Sequence, residues 1–314
     1  MKFLLTAINA KFIHSNPAIY SLRAGVGEKL QPYVELAEFT INESLESILE
    51  GIWKRQPKVI GFSCYIWNWK LIREILTELP KILPDTEIWL GGPEVTYDGP
   101  GLLREFPQVT GIMVGEGEVT FREVLDQYVR EAESTGQSEQ QPEPDSTEQQ
   151  AADRTGTVAG KSVAERFGQI PGLCLASGYT APRELTDLTT LPFLYEDMEP
   201  FTNRIIYYET SRGCPYRCSY CLSSIDKKVR LRDIDVVKRE LQFFLDQNVK
   251  QVKFIDRTFN CDHKHAMEIW RYIYEHDNGV TNFHFEISAD ILREEEIALL
   301  NRFRPGLAQL EIGV

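Results

Sequence analysis

Short apolar runs alternate with amphipathic helical stretches along this chain, and that order constrains the fold more than any single residue does. In the first ~130 residues the strand-like runs are "KFLLTAI" (2–8), "VELAEFTI" (34–41), "KVIGFSCYI" (58–66), "EIWLGG" (87–92) and "GIMVGEGE" (111–118). Between and after them lie "SLRAGVGEKL" (21–30), "ESLESILEGIWKR" (43–55), "WKLIREILTELPKIL" (69–83) and "VTFREVLDQYVREAE" (119–133), each read as a helix. Leu45, Ile48, Leu49 and Ile52 fall on one helical face, and Pro80 marks a stop or kink. Strand and helix in regular order mean a parallel sheet covered on both faces, here a doubly wound Rossmann- or flavodoxin-like domain over residues 1–132.

Composition then changes. Residues 131–160 hold seven Asp and Glu against one Arg, which is −6 of the chain's −13. Residues 133–162 contain no Leu, Ile, Phe, Tyr or Trp, so burial cannot offset chain entropy, and 133–168 reads as a disordered acidic insertion or linker. A hairpin around "SG" (177–178) and an extended connector fill 169–203.

From residue 204 the alternation returns. "RIIYYETSRGC" (204–214), "QVKFIDRTF" (251–259), "NFHFEISADI" (282–291) and "LAQLEIGV" (307–314) read as strands, with helices at 235–248, 263–276 and 293–303. This is a parallel barrel or half-barrel over 204–314, whose chemistry is expected beyond the carboxyl ends of its strands. The last strand stops at Val314 with nothing to cover it, so a truncated barrel is expected.

Six cysteines occur in 314 residues, and three stand together in "RGCPYRCSYC" at Cys214, Cys218 and Cys221. No secretory signal precedes them, so a cytoplasmic location is expected and a disulfide framework is not. Three thiolates on one short loop suit an iron–sulfur cluster that leaves one iron without a protein ligand. A zinc site borrowing Cys261 or His263 remains an alternative on the residues alone. Asp262 is placed as the cap of the helix that follows, with His263 and His265 on its exposed first turns.

"CPYRCSYC" resembles the signature of the radical S-adenosylmethionine (SAM) superfamily. The resemblance implies a partial (β/α)6 barrel, a [4Fe–4S] cluster on Cys214, Cys218 and Cys221, and SAM chelated to the open iron and cleaved to a 5′-deoxyadenosyl radical. It places Tyr220 against the adenine. Asp256 in "FIDRTFN" stands where the family holds the methionine amino group, although the Gly-Gly-Glu form is absent. Glu286 and Ser288 in "HFEISAD" are implied for ribose or the methionyl carboxylate, and Glu311 is a weaker candidate.

The preceding domain makes the chain similar to the cobalamin (B12)-binding branch, which includes radical methyltransferases and the anaerobic magnesium-protoporphyrin ester cyclase. Ser63 in "GFSCY", Gly91 and Gly92 in "LGGPEVT", and Gly115 and Glu116 in "VGEGE" stand at successive strand ends, where glycine lets a large cofactor approach. The Asp-x-His-x-x-Gly pattern of methionine-synthase-type domains is not kept. His14 is present, but Phe12 and Pro17 replace the Asp and the Gly. Cobalamin is therefore expected without histidine ligation, with His14 lining its pocket. No G-x-G-x-x-G follows the first strand, which argues against a dinucleotide.

The expected activity is B12-dependent radical SAM chemistry on an unactivated C–H bond, first methyl transfer. Oxidative cyclisation or rearrangement is the enzymatic alternative, and a non-catalytic cobalamin- and redox-sensing module the alternative of another class. The expected partners are a small-molecule substrate and a flavodoxin- or ferredoxin-like electron donor. Net charge −13 argues against nucleic acid, and no apolar run reaches membrane-spanning length.

Overall fold

The structure, a computed structural model, describes residues 1–136, 161–226 and 228–312. Residues 137–160 of the expected acidic insertion and 313–314 of the expected last strand lie outside the described residues, whereas the described ends of that insertion are helical, at 133–136 and 163–167, and not a linker. The chain divides into two compact units, Met1–Thr186 and Asp187–Val314. Among the described residues no helix is long and apolar enough to cross a membrane.

The first unit runs β1 (Phe3–Asn9), α1 (Pro17–Gly25), β2 (Val34–Thr40), α2 (Leu45–Trp53), β3 (Val59–Ser63), α3 (Trp69–Ile82), β4 (Glu87–Gly91), α4 (Gly99–Glu105), β5 (Val109–Met113), α5 (Glu118–Gly136), α6 (Val163–Phe167), β6 (Leu173–Leu175) and β7 (Gly178–Tyr179). The strands form one sheet in the order β2-β1-β3-β4-β5-β6-β7. It is parallel through β5, and the β6–β7 hairpin adds to its edge in antiparallel fashion. Strand alternation sends Leu4, Ile8, Ile60, Phe62 and Leu90 to one face, against α2, α3 and α4. Phe3, Leu5, Ala7, Val59 and Trp89 go to the other, against α1, α5 and α6. Both faces are therefore apolar and filled, which leaves the strand ends as the open ground for a ligand.

Two expectations need correction. The first helix spans 17–25 rather than 21–30, because Asn16 caps it, Pro17 opens it, and the chain turns at Gly27 with φ +77°. Pro80 does not stop α3. It sits in the last turn, and the helix runs on to Ile82.

The second unit continues with β8 (Ile206–Tyr208), β9 (Ser211–Arg212), β10 (Arg230–Leu231), α7 (Ile234–Asp246), β11 (Gln251–Phe254), α8 (His263–Glu275), β12 (Asn282–Ile287), α9 (Glu294–Leu300) and β13 (Ala308–Ile312). Strands β8, β11, β12 and β13 are neighbours in that order and all parallel, the arrangement of part of a barrel wall. Tyr208, Phe254 and Phe285 share one face. There Tyr208 meets Phe244 of α7 at 5.4 Å, and Phe285 meets Trp270 of α8 at 6.0 Å. Tyr207, Lys253, His284 and Gln309 form a row on the opposite face. The expected single strand over 204–214 is two strands, because Ser211 and Arg212 leave the sheet to pair with Leu231 and Arg230.

Candidate functional sites

In the first unit the strand order reverses between β1 and β3, and open α/β sheets bind ligands at the carboxyl ends there. Asn68, fully buried, ties these two ends together. Its Nδ2 donates to the Ile8 carbonyl (3.0 Å) and the Ser63 carbonyl (2.9 Å), and its Oδ1 accepts from Tyr65 N (2.8 Å). Ser63 Oγ accepts from Asn16 Nδ2 at 3.3 Å. His14 lies in the β1–α1 loop, half-buried, its backbone N–H bonded to the Lys11 carbonyl.

The glycines differ in what they need. Gly92 has φ +109°, and a Cβ there would meet the Cys64 carbonyl oxygen at 2.5 Å, so the fold itself demands glycine. Gly91 is different: a Cβ would meet nothing nearer than Met113 at 3.8 Å. Gly115 has φ +78° with open space around it. Glu116 accepts from Thr186 N at 2.7 Å, anchoring the chain at the end of the unit.

Around these ends lie exposed apolar side chains: Phe12 and Ile13 after β1, Ile66 and Trp67 after β3, and Tyr97 after β4. Trp67 stacks on Tyr65, with ring centroids 4.3 Å apart. An apolar rim with a polar crevice inside it suits a broad, flat ligand with a narrow polar arm.

In the second unit the three cysteines share one loop closed at its neck by the β9–β10 ladder. Gly213 has φ +99°, and a Cβ there would strike the Lys228 carbonyl, so the neck admits only glycine. Cys214 is buried with its N–H on the Asp226 carbonyl (3.1 Å) and its Sγ 3.5 Å from Thr258 Oγ1. Cys221 is half-buried and Cys218 exposed. Tyr220 stands almost wholly in solvent, 91% exposed. Among the described residues, no three His, Cys, Asp or Glu side chains converge to hold a metal ion. The donor set nonetheless suits an iron–sulfur cluster, since it is three thiols outside any disulfide on one loop with a fixed neck.

Asp256, just beyond β11, is 1% exposed. It accepts from Thr210 N (2.8 Å), Thr210 Oγ1 (2.5 Å) and Ser211 Oγ (2.8 Å), which fixes the turn between β8 and the cysteine loop. Burial pushes its carboxyl up to about 6, with the Thr210 and Ser211 bonds acting the other way. Ser288, past the end of β12, accepts from Tyr216 of the cysteine loop at 3.2 Å and donates to Asp290 at 2.7 Å. Glu286 faces Lys253 (3.5 Å) and Arg257 (3.8 Å). Glu311 pairs with Lys253 at 3.0 Å and lies 3.0 Å from His284 Nε2.

The structure thus brings Ser288 to the cysteine loop, while Asp256 turns toward the strand beneath it. Sequence reasoning did not single out Asn260. It is fully buried and exchanges two 2.9 Å hydrogen bonds with the Ser288 backbone, fixing the end of β12. Its only sequence signal was an Asn just after a strand, which is usually a turn residue.

Asp262 caps α8 through His265 N at 2.9 Å, but the histidines are not on exposed turns. His265 is buried, which lowers its pKa, and His263 Nδ1 sits 2.8 Å from the buried Glu296. Packing of α9 against α8 covers the turn that would otherwise be exposed.

Residues 4–125 match the B12 binding domain family, and residues 208–314 the Radical SAM superfamily. The 2-(S-pantetheinyl)-carbapenam-3-carboxylate methyltransferase of Streptantibioticus cattleyicolor is 28% identical over 228 residues, which are 69% of this chain and 29% of that protein. The anaerobic magnesium-protoporphyrin IX monomethyl ester cyclase of Rubrivivax gelatinosus is 24% identical over 277 residues, 86% of this chain and 46% of the relative. The chain therefore spans less than half the length of these curated relatives. Among solved structures, the radical SAM methyltransferase TsrM from Kitasatospora setae, with tryptophan and a SAM analogue bound, aligns with a TM-score of 0.65 at 19% identity. That alignment covers 99% of this chain and 59% of TsrM, and shows a shared fold. One family model thus matches each unit, the B12 binding domain in the first and the Radical SAM superfamily in the second.

Proposed function

We propose that the chain is the cobalamin- and cluster-bearing part of a B12-dependent radical SAM enzyme that transfers a methyl group to an unactivated carbon of a small molecule. One observation carries the reading: three thiols outside any disulfide on a single necked loop at the carboxyl end of a parallel half-barrel, in a chain whose other unit has exposed apolar side chains around polar groups at its strand ends. When bound, the cluster supplies the electron that cleaves SAM, and the corrin carries the transferred methyl group.

The residues' own tasks follow from their places. Cys214, Cys218 and Cys221 hold the iron. Tyr220, exposed, would lie along an adenine, and Ser288, bonded to Tyr216 of the cysteine loop, would with Glu286 meet ribose or methionyl groups. Asp256 already accepts three hydrogen bonds, so it acts by holding the Thr210–Ser211 turn under the cysteines. Ser63, Gly91 and Gly115 stand at the strand ends where cobalamin would lie, with His14 in the adjoining loop, while Gly92 is required by the close approach of Cys64 and Glu116 ties down the neighbouring chain. Reduction requires an external one-electron donor, such as a flavodoxin- or ferredoxin-like protein.

A second reading, oxidative cyclisation, is favoured by the cyclase relative that matches 86% of this chain. Anaerobic reconstitution with iron, sulfide and cobalamin, then reduction in the presence of SAM, tests both. Methyl transfer gives 5′-deoxyadenosine and S-adenosylhomocysteine, whereas cyclisation gives 5′-deoxyadenosine alone. Zinc bound by four protein ligands, or a cluster that never cleaves SAM, would defeat the enzyme reading. Cys214→Ala should reduce bound iron to background.

A further inference from the structure

The β1–α1 loop lacks the Asp of the Asp-x-His-x-x-Gly pattern, and the structure brings a different carboxylate to the flanks of that loop. Glu38 lies on β2 between the buried Ala37 and Phe39, so its side chain points to the opposite face, where α1 packs. A carboxylate on an apolar inner face needs partners. Glu38 Oε1 accepts from Asn9 Nδ2 at 2.8 Å and from Asn16 N at 3.1 Å, and Oε2 accepts from Tyr20 OH at 2.7 Å. These donors stand at the last residue of β1, the last residue of the loop, and the first turns of α1. One carboxylate therefore grips both flanks of the segment that carries Phe12, Ile13 and His14.

Asn16 extends the grip to β3. Its Oδ1 caps α1 through Ile19 N, and its Nδ2 reaches Ser63 Oγ. The Asn16–Ser63 pair spans the switch point between β1 and β3. A broad corrin suits the exposed apolar side chains, and the narrow, polar nucleotide arm of cobalamin suits the hydrogen-bonding groups at the switch point.

We propose that Glu38 is the positioning residue of this crevice, holding the β1–α1 loop so that Asn16 and Ser63 meet the nucleotide arm as a preformed pair. This rests on the cobalamin reading above. Glu38 does not touch the ligand. It acts through Asn9, Asn16 and Tyr20, and it does from the neighbouring strand what a loop carboxylate does elsewhere.

The test titrates the 314-residue chain with aquacobalamin and with cobinamide, which lacks the nucleotide arm, following the visible spectrum. For Glu38→Gln, cobalamin affinity should fall about tenfold or more while cobinamide affinity changes by less than about threefold. Equal loss of both ligands would assign Glu38 a general structural role, and cobalamin binding within about twofold of wild type would remove any role; either result overturns the proposal. Should Glu38→Gln fail to fold, Asn16→Ser carries the same expectation. It keeps the cap on α1 and the backbone N–H to Glu38, but removes the donor to Ser63. A wild-type chain that does not bind cobalamin would instead overturn the cobalamin reading itself.

Discussion

Each unit holds the loop after its first strand with a carboxylate borrowed from the next strand of the chain's sheet, but at different depths. Glu38 is half-buried and grips Asn9, Asn16 and Tyr20, whereas Asp256 is 1% exposed and grips Thr210 and Ser211. The sheets differ in the same sense. The first is apolar on both faces, so a ligand has only the strand ends. The second is apolar against its helices, but carries Lys253, His284, Glu286 and Glu311 on its other face. A sheet filled on both sides can bind only at its rim, where Asn16 and Asn68 are buried and Glu38 and Ser63 half-buried. A sheet with one charged face can surround a polar ligand, at the cost of burying carboxylates beside it.

The first unit does have a deeply buried ion group, but it lies at the amino end of β4, away from the crevice. The Arg166 side chain is fully buried, 3.0 Å from Glu87 and 2.9 Å from Glu131, with its guanidinium over the rings of Tyr128 and Phe167. It ties α6 to α5 and to the sheet. Arg166→Met should cost the first unit about 3–5 kcal/mol, because two carboxylates lose their buried partner. The urea midpoint of that unit measures it. The spectrum of bound cobalamin should not change, since the crevice is at the other end of the strands. A loss under about 1 kcal/mol would show the group to be as weak as a surface pair, and depth would then not set the strength of a polar grip in either unit.

Asp256 gives the next largest effect, and its sign is set by burial. Its carboxyl lies at about 6 in the fold against an ordinary 3.8, so the folded state holds its proton more tightly than the unfolded chain does. The stability it contributes is complete below pH ~4 and is lost as pH rises through about 6. The span is on the order of 3 kcal/mol by the usual conversion of pKa difference to free energy. Asp256→Asn should flatten the stability–pH curve of the second unit across that window, read by urea denaturation at pH 4, 5, 6 and 7. An unchanged slope would mean that burial does not hold the Asp256 proton, and the contrast in depth between the two carboxylates would have no energetic consequence.

How much of this was legible in the sequence depends on the distance over which each residue acts. Strand and helix order follows from apolar period, which is local, and it survived in both units. The cysteine loop is legible because its three thiols lie within eight residues. The start of α1 was locally signalled by Asn16-Pro17, a cap before a first-turn proline, and the apolar count over 21–30 obscured it. The split between β8 and β9 was not legible, because Ser211 leaves the sheet for Leu231, twenty residues on. Asn68 and Asn260 act across 60 and 28 residues, and Glu38 acts across 29. Nothing near Glu38 in "VELAEFTI" distinguishes it from an ordinary strand glutamate facing solvent. Its partners appear only once β1 and β2 lie side by side.

The smallest effect probes the charged face of the second sheet most directly. Lys253 holds Glu311 at 3.0 Å, and its hydrogen bond and charge keep the Glu311 carboxyl below the usual range. The Glu311 side chain is 54% exposed, so water competes for it. Lys253→Met should therefore cost less than about 1 kcal/mol. The Glu311 titration, followed by NMR, should move up toward the ordinary carboxylate range. A cost above about 2 kcal/mol would mean that Lys253 closes a packed layer, with its loss leaving buried carboxylates unpaired. The second sheet would then be filled on both sides like the first, and a polar ligand would have no face of it to occupy.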